Sequence, residues 1–176
     1  MSLFMIDIEA DGPIPYKYSM LSFGAVKMIE EINTTPTFYH TLKPVSETWD
    51  AESLAISGFT REETLTFEEP KIVMQKFYDW IKEHNKNGRP VFISDNNGFD
   101  FAWINWYFHY FMGENPFGWS SRRVGDFYAG LTGEWYATWK HLRKTKHTHN
   151  ALDDALANTS AFLEMIKTHD IKITLK

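Results

Sequence analysis

The stretch that decides the fold is Leu3-Phe4-Met5-Ile6-Asp7-Ile8-Glu9-Ala10-Asp11-Gly12, residues 3–12. Its first half has the apolar density of a buried β-strand, and its last three residues supply turn chemistry. Because side chains alternate along a strand, Asp7 and Glu9 lie on one face, with Ile6 and Ile8 on the other. The stretch therefore predicts a strand at the core of the fold that carries two carboxylates on a single face.

Further strands and helices follow this strand in a regular order. Strands are predicted at 20–28 and 37–42, joined by links short enough for an antiparallel meander. The remaining predicted elements are a short helix after Asp50, a helix from Pro70 to about Asn87, a strand at 90–94, an aromatic helix from Phe99 to near Gly113, a strand at 123–125 leading into a helical turn at 126–131, and a helix at 151–167 capped by Asn150. This order predicts an α/β fold with a mixed five-stranded sheet, three antiparallel strands followed by parallel ones, flanked by helices on both faces.

Length and composition are those of a globular domain. The chain has 176 residues, of which 16% are aromatic and 23% charged, and a formal net charge of −5. The absence of cysteine excludes a disulfide scaffold, a thiolate metal site and a cysteine nucleophile. No apolar run approaches the roughly 18 residues of a membrane span, and Asp7 and Glu9 come too early for a signal peptide. We therefore expect one domain over residues 1–176, in the cytoplasm and without a membrane partner.

The acidic residues indicate a metal site. Burying two carboxylates among apolar neighbours is costly unless a cation or a proton compensates them, which points to a metal at Asp7 and Glu9. On the final helix, Asp154 shares a side with residues that pack inward, whereas Asp153 lies on a solvent stripe and serves as a capping residue. Asp100 stands in the first turn of the aromatic helix, beyond a buried strand. The alternatives are solvated acids at an exposed strand end, and an aspartate that stabilises the helix dipole.

Three motifs resemble those of the DEDDh exonucleases, a family that includes ribonuclease T, oligoribonuclease and the proofreading exonuclease of replicative polymerases. The motifs are a D-x-E before a turn with Gly, an Asp after Phe with Asn upstream, and H-x-A-x-x-D. In this chain they are Asp7-Ile8-Glu9, Asn96-Asn97-Gly98-Phe99-Asp100 and His149-Asn150-Ala151-Leu152-Asp153-Asp154. Ser57 stands where many members have His, and Ala10 where Thr is common, but neither belongs to the four acids or the histidine. The resemblance spans residues 3–166 and implies a ribonuclease H-like fold.

The resemblance also implies a reaction. It implies a metal-dependent 3′–5′ exonuclease that releases nucleoside 5′-monophosphates from single-stranded RNA or DNA 3′ ends, with RNA slightly favoured because small stand-alone exoribonucleases are similar in size. Two divalent cations, Mg²⁺ or Mn²⁺, are expected. Asp7 would bridge both, Glu9 and Asp154 would bind the one that activates water, and Asp100 would hold the second largely through water. His149 would be the general base, a role that suits a neutral imidazole with a reference pKa of about 6.5; the alternative is a surface histidine in a polar loop.

Residues just before the third motif are candidates for substrate binding. They comprise a basic cluster and three aromatic residues: Lys140, Arg143, Lys144 and Lys146, with Trp135, Tyr136 and Trp139. Cations beside aromatic rings can hold a nucleic-acid backbone and stack its bases. The alternative is a solvated helix face with the aromatic residues in the core. Arg122 and Arg123 are further candidates.

Two other functions stay open at this point. The first is a catalytically idle module of the same fold that binds nucleic acid or a protein partner; a repulsive carboxylate cluster counts against it, because binding alone does not require one. The second is a ribonuclease H-like endonuclease, which a pattern of internal cuts would distinguish. Members of the family often pair, and the aromatic content leaves material for a homodimer interface.

Overall fold

The fold is built on a five-stranded mixed sheet in a computed structural model that describes residues 1–29 and 32–174. The strands are β1 (Leu3–Ala10), β2 (Met20–Lys27), β3 (Thr37–Thr41), β4 (Val91–Ser94) and β5 (Ser121–Arg123), in the spatial order β3-β2-β1-β4-β5. Pairing is antiparallel between β1, β2 and β3, and parallel from β1 to β4 and from β4 to β5. The predicted mixed sheet of the ribonuclease H-like fold is confirmed.

The described residues form six α-helices. They are α1 (Ala51–Ile56), α2 (Arg61–Thr64), α3 (Pro70–His84), α4 (Asn97–Met112), α5 (Val124–Thr132) and α6 (Ala151–Thr168), and two short 3-10 segments cover Ile32–Thr34 and Lys140–Leu142. Asn150 caps α6, because its side chain accepts hydrogen bonds from the backbone N–H groups of Leu152 and Asp153. Gly113 ends α4 in the left-handed conformation that glycine favours. None of the described helices has the length and apolarity that a membrane crossing needs.

The structure corrects the prediction around residue 124. The sequence predicts a strand at 123–125, whereas β5 ends at Arg123 and Val124 is the first residue of α5. Val124 is fully buried in a cluster with Ala155 and Phe162 of α6. Valine favours a strand by propensity, but packing against α6 decides the outcome here.

The two faces of the sheet are packed differently around β1. Phe4, Ile6 and Ile8 lie in a cluster with the aromatic residues of α3 and α4, whereas Met5 lies in a second cluster with residues of α5 and α6. Asp7 and Glu9 continue the Met5 face by the alternation of a strand. The two carboxylates therefore lie towards the α6 side, at the carboxyl end of β1.

A candidate metal centre at the carboxyl edge of the sheet

Three carboxylates converge where β1 ends. One carboxylate oxygen from each of Asp7, Glu9 and Asp154 lies within 4.8 Å of the other two. Glu9 is 8% exposed and Asp154 is fully buried. Carboxylates this close repel one another unless a positive charge compensates them. A set of hard oxygen ligands at this spacing is what Mg²⁺ and Mn²⁺ bind.

Asp100 joins this cluster from α4. It lies in the first turn of the helix, just beyond β4, and is 3% exposed. Its Oδ2 atom is buried without a hydrogen-bond partner among the described residues. An exposed aspartate in the first turn of a helix already stabilises the helix dipole, so the dipole does not explain why Asp100 is buried. A buried carboxylate oxygen without a donor fits the ligand of a cation.

The electrostatics of the acid cluster favour the binding of a cation. Burial, followed by the charges of Asp154 and Asp100, raises the pKa of Glu9 to about 8. Burial also raises the pKa of Asp100 to about 7. The pKa of Asp7 is raised well above its ordinary value by burial, then by Asp100, Glu9 and Asp154. Titratable groups perturbed in one cluster are typical of functional sites, and a divalent cation would remove the repulsion among these.

A glycine in β2 lets α6 approach the sheet closely enough to deliver Asp154. Gly24 is the antiparallel partner of Asp7. A Cβ atom on Gly24 would lie 2.4 Å from the Cα atom of Leu152 and 2.5 Å from its nitrogen. The start of α6 therefore rests directly on the backbone of β2, and Asp154 lies two residues further along. This role of Gly24 is not among the sequence predictions, although a lone glycine inside a strand is a known signal of close backbone approach.

The loop before α6 surrounds the Asp154 carboxylate with donors. Arg143 Nη2 lies 3.3 Å from Asp154 Oδ1, and His147 Nδ1 lies 2.7 Å from Oδ2. The backbone N–H of His149 donates to Oδ2 at 3.0 Å, and that of Thr148 donates to Oδ1 at 3.3 Å. The carboxylate is thus tied to the loop as well as to its helix. The contact of His147 with Asp154 is one that no sequence motif indicates.

The predicted base, His149, stands at the rim of the cluster. Its residue is exposed, and its backbone has a positive φ of 57°, which is uncommon outside glycine. Its ring centroid lies 4.4 Å from that of His147. The hydrogen bond from its own backbone to Asp154 anchors it beside the acids while its side chain stays accessible.

The predicted substrate-binding residues separate into different surroundings. The Arg143 side chain is only 7% exposed, against Asp154, and Trp139 is 3% exposed in the core. Lys140 Nζ lies 3.3 Å from Asp95 Oδ2, just beyond the end of β4. Lys144 and Lys146 are exposed. The structure therefore brings Arg143 and Lys140 to the acidic edge of the sheet.

The two arginines of β5 and the first two aromatic residues are also exposed. Arg122 and Arg123 end β5, and Arg123 Nε donates a hydrogen bond to the backbone oxygen of Asp95 at 3.1 Å. Trp135 is 86% exposed and Tyr136 is 95% exposed. No pattern in the sequence distinguishes these two rings from the buried ring of Trp139.

Comparisons with known proteins place the chain in a family. The sequence pattern of the exonuclease family named for ribonuclease T matches residues 4–162. Cap18, a 3′–5′ DNA exonuclease of Escherichia coli, is 33% identical over 169 residues, and the match covers 89% of this chain and 87% of that protein.

Solved structures agree in fold. The nuclease domain of 3′hExo, a DEDDh family member bound to rAMP, has a TM-score of 0.76 at 16% identity, covering 99% of this chain and 96% of that one. E. coli exonuclease I in complex with a dA16 oligonucleotide has a TM-score of 0.72 at 18% identity, covering 95% of this chain and 41% of that one. With the family match, the E. coli relative and the buried acids considered together, this chain belongs to the DEDDh family of 3′–5′ exonucleases.

Proposed function

We propose that this chain degrades single-stranded DNA from its 3′ end, with two divalent cations, and releases nucleoside 5′-monophosphates. The observation that carries the proposal is the cluster of Asp7, Glu9, Asp100 and Asp154, whose mutual repulsion requires compensation. DNA is favoured over RNA because the relative that is 33% identical is described as a DNA exonuclease. RNA is the second candidate substrate, because the chain is similar in size to small stand-alone exoribonucleases.

The residues present fit a pair of divalent cations. Asp7, Glu9 and Asp154 would hold one, and Asp100, with its unpartnered Oδ2 atom, would hold the second together with Asp7. The cations would supply charge neutralisation at the scissile phosphate and lower the pKa of a bound water. Mg²⁺ and Mn²⁺ suit this all-oxygen ligand set equally well.

The protein's own contribution to the chemistry is proton transfer and positioning. His149 accepts a proton from the attacking water, whose oxygen bonds to phosphorus as the bond from phosphorus to the 3′ oxygen breaks. The leaving 3′ oxygen takes a proton from solvent. Since the His149 side chain is exposed on a loop, binding of the strand can bring it over the phosphate.

A time course on end-labelled strands tests this function. We would incubate 5′-labelled single-stranded DNA and RNA of one sequence with Mg²⁺, with Mn²⁺ and with EDTA. The expected result is a ladder that shortens from the 3′ end, depends on metal and is faster on DNA. Asp154→Asn should abolish the ladder, and Asp153→Asn, which changes an exposed neighbour on the same helix turn, is the matched control.

Each other outcome points to a different function. Metal-dependent internal cuts would favour a ribonuclease H-like endonuclease. Binding of the strand without any cleavage would favour an idle binding module. A faster ladder on RNA would keep the exonuclease and reverse the choice of sugar. Full activity in Asp154→Asn would overturn the site itself.

A further inference from the structure

A cleft beside α5 and the segment that leads into α6 is lined by two almost fully exposed aromatic side chains. Trp135 and Tyr136 are 86% and 95% exposed. The cleft has two adjoining lobes of about 230 and about 650 Å³, and Trp135, Tyr136 and Arg123 line both of them. Rings with so little contact to the protein add nothing to the core, so their faces are free to contact a binding partner.

The cleft is linked to the acid cluster through the segment that precedes α6. Trp139 and Lys140 line its smaller lobe. The Arg143 guanidinium lies over the Trp139 ring, 5.9 Å from its centroid, and its Nη2 atom lies 3.3 Å from Asp154 Oδ1. The inner wall of the cleft is therefore the same segment that contacts a candidate metal ligand.

A second connection runs through the end of β4. Lys140 Nζ lies 3.3 Å from Asp95 Oδ2, and Arg123 Nε donates to the backbone oxygen of Asp95 at 3.1 Å. Asp95 in turn adds to the negative potential at Asp100. Lys140 and Arg123, which both line the cleft, are therefore linked to Asp100 through Asp95.

The cations of the cleft remain available to a ligand. The Lys140 side chain is 61% exposed, and that of Arg123 is 49% exposed, with Asp126 3.3 Å away. Ion pairs that solvent reaches this freely contribute little, so phosphate oxygens can replace the carboxylates. Proteins bind single-stranded nucleic acids by combining basic side chains, which contact the phosphates, with aromatic side chains, which stack on the bases.

We propose that this cleft holds the nucleotides immediately 5′ of the one being removed. Trp135 and Tyr136 stack on their bases, and Lys140 and Arg123 contact their phosphates. The proposal rests on the proposed function, because the acid cluster defines where the 3′ end lies. A single-stranded nucleic acid is the occupant that uses both the rings and the cations.

Binding of a labelled single-stranded DNA tests whether Trp135 and Tyr136 contact the substrate. We would measure the anisotropy of a 12-nucleotide single-stranded DNA labelled at its 5′ end, with Ca²⁺ in place of Mg²⁺, for the wild type and for the double variant Trp135→Ala/Tyr136→Ala. The Kd should rise by at least about tenfold, because each stacked base contributes substantially to single-strand affinity. Trp119→Ala is the matched control, since Trp119 is 90% exposed and lies outside the lining of the cleft; its Kd should stay within twofold of the wild type.

Two further readouts separate stacking from charge and place the contacts along the strand. Lys140→Gln should lower the slope of log Kd against log salt by about 0.7, the value expected for one phosphate contact on a single strand. In Mg²⁺, the advantage in kcat/KM of the 12-nucleotide strand over a dinucleotide should fall about tenfold in the double variant.

The outcomes distinguish this inference from the function on which it rests. Equal Kd values in the double variant and the wild type overturn the cleft assignment, even if the 3′ ladder is present. A tenfold weaker Kd in the double variant supports the cleft, even if the wild type cleaves nothing and the proposed function fails. A wild-type dimer that the double variant converts to monomer, by light scattering, with strand binding retained, overturns the assignment in favour of an interface between two copies.

Discussion

The acids of β1 and the loop before α6 meet at one site, but they are held in different ways. Asp7 and Glu9 lie on a strand that β2 pairs along its length, and β4 pairs with its first half. His147 and His149 are exposed on the loop. The His147 side chain and the backbone N–H of His149 both contact the carboxylate of Asp154 in α6. Groups on paired strands are positioned rigidly, whereas loop groups adjust when a ligand binds. The rigid region is thus suited to holding cations and the loop to moving a proton.

Replacing a carboxylate of the rigid region should have the largest effect. Asp7→Asn should lower kcat by about 10³-fold or more, because metal catalysis supplies several kcal/mol of transition-state stabilisation. The same change removes a buried carboxylate that burial and its acidic neighbours destabilise in the charged form, so the metal-free protein should melt at a higher temperature than the wild type. Single-turnover assays and thermal melts in EDTA measure the two effects. A variant that is less stable in EDTA and still active would contradict the assignment.

Replacing the loop histidine should affect the reaction alone. His149→Ala should lower kcat by about 10²-fold, the lower end of the range for a general base, with the affinity for Mn²⁺ unchanged. Titration calorimetry with Mn²⁺ measures that affinity. His147→Ala is the matched comparison, because His147 is the histidine whose side chain lies 2.7 Å from Asp154. Loss of Mn²⁺ affinity in His149→Ala would move this histidine into the ligand set and remove the contrast between the two regions.

The stability of the metal-free protein should depend on pH through the rigid region. The pKa of Glu9 is about 8 in the folded protein, above its ordinary value of 4.5. Between these values the folded state keeps a proton that the unfolded state has lost, so stability falls as pH rises from about 4.5 to about 8. The effect should be on the order of a few kcal/mol.

Thermal melts at several pH values check this dependence. In EDTA the Tm should fall from pH 5 to pH 8, and Mg²⁺ should raise the Tm most at the upper end, where the carboxylates are ionised for binding. Glu9→Gln should make this fall in Tm smaller in EDTA, with the raised pKa values of Asp7 and Asp100 accounting for what remains. A Tm in EDTA that rises over this range would mean that the acids are already compensated without metal.

The same contrast explains what the sequence could and could not predict. The alternation in residues 3–12 placed Asp7 and Glu9 on one face, and the structure confirms the sheet around them. The loop before α6 has no periodicity, so nothing in the sequence separated buried Trp139 from exposed Trp135. Burial of a loop side chain depends on tertiary contacts, which local patterns do not contain. The strand prediction for Val124 is wrong for the same reason, since packing against α6 decides whether this residue is in a strand or a helix.

Gly24 connects the two regions, and its replacement should have the smallest effect. In Gly24→Ala the new methyl group would lie 2.4 Å from the Cα atom of Leu152, so the start of α6 must move away from β2. Overpacking of this kind costs about 1–3 kcal/mol. The shift also carries Asp154 away from Asp7, so the affinity for Mn²⁺ should fall together with the Tm. Gly130→Ala is the control, because a Cβ atom there meets no atom within 4 Å. A lower Tm with unchanged Mn²⁺ affinity would show that Asp154 keeps its place through the loop donors rather than through the contact of α6 with the sheet.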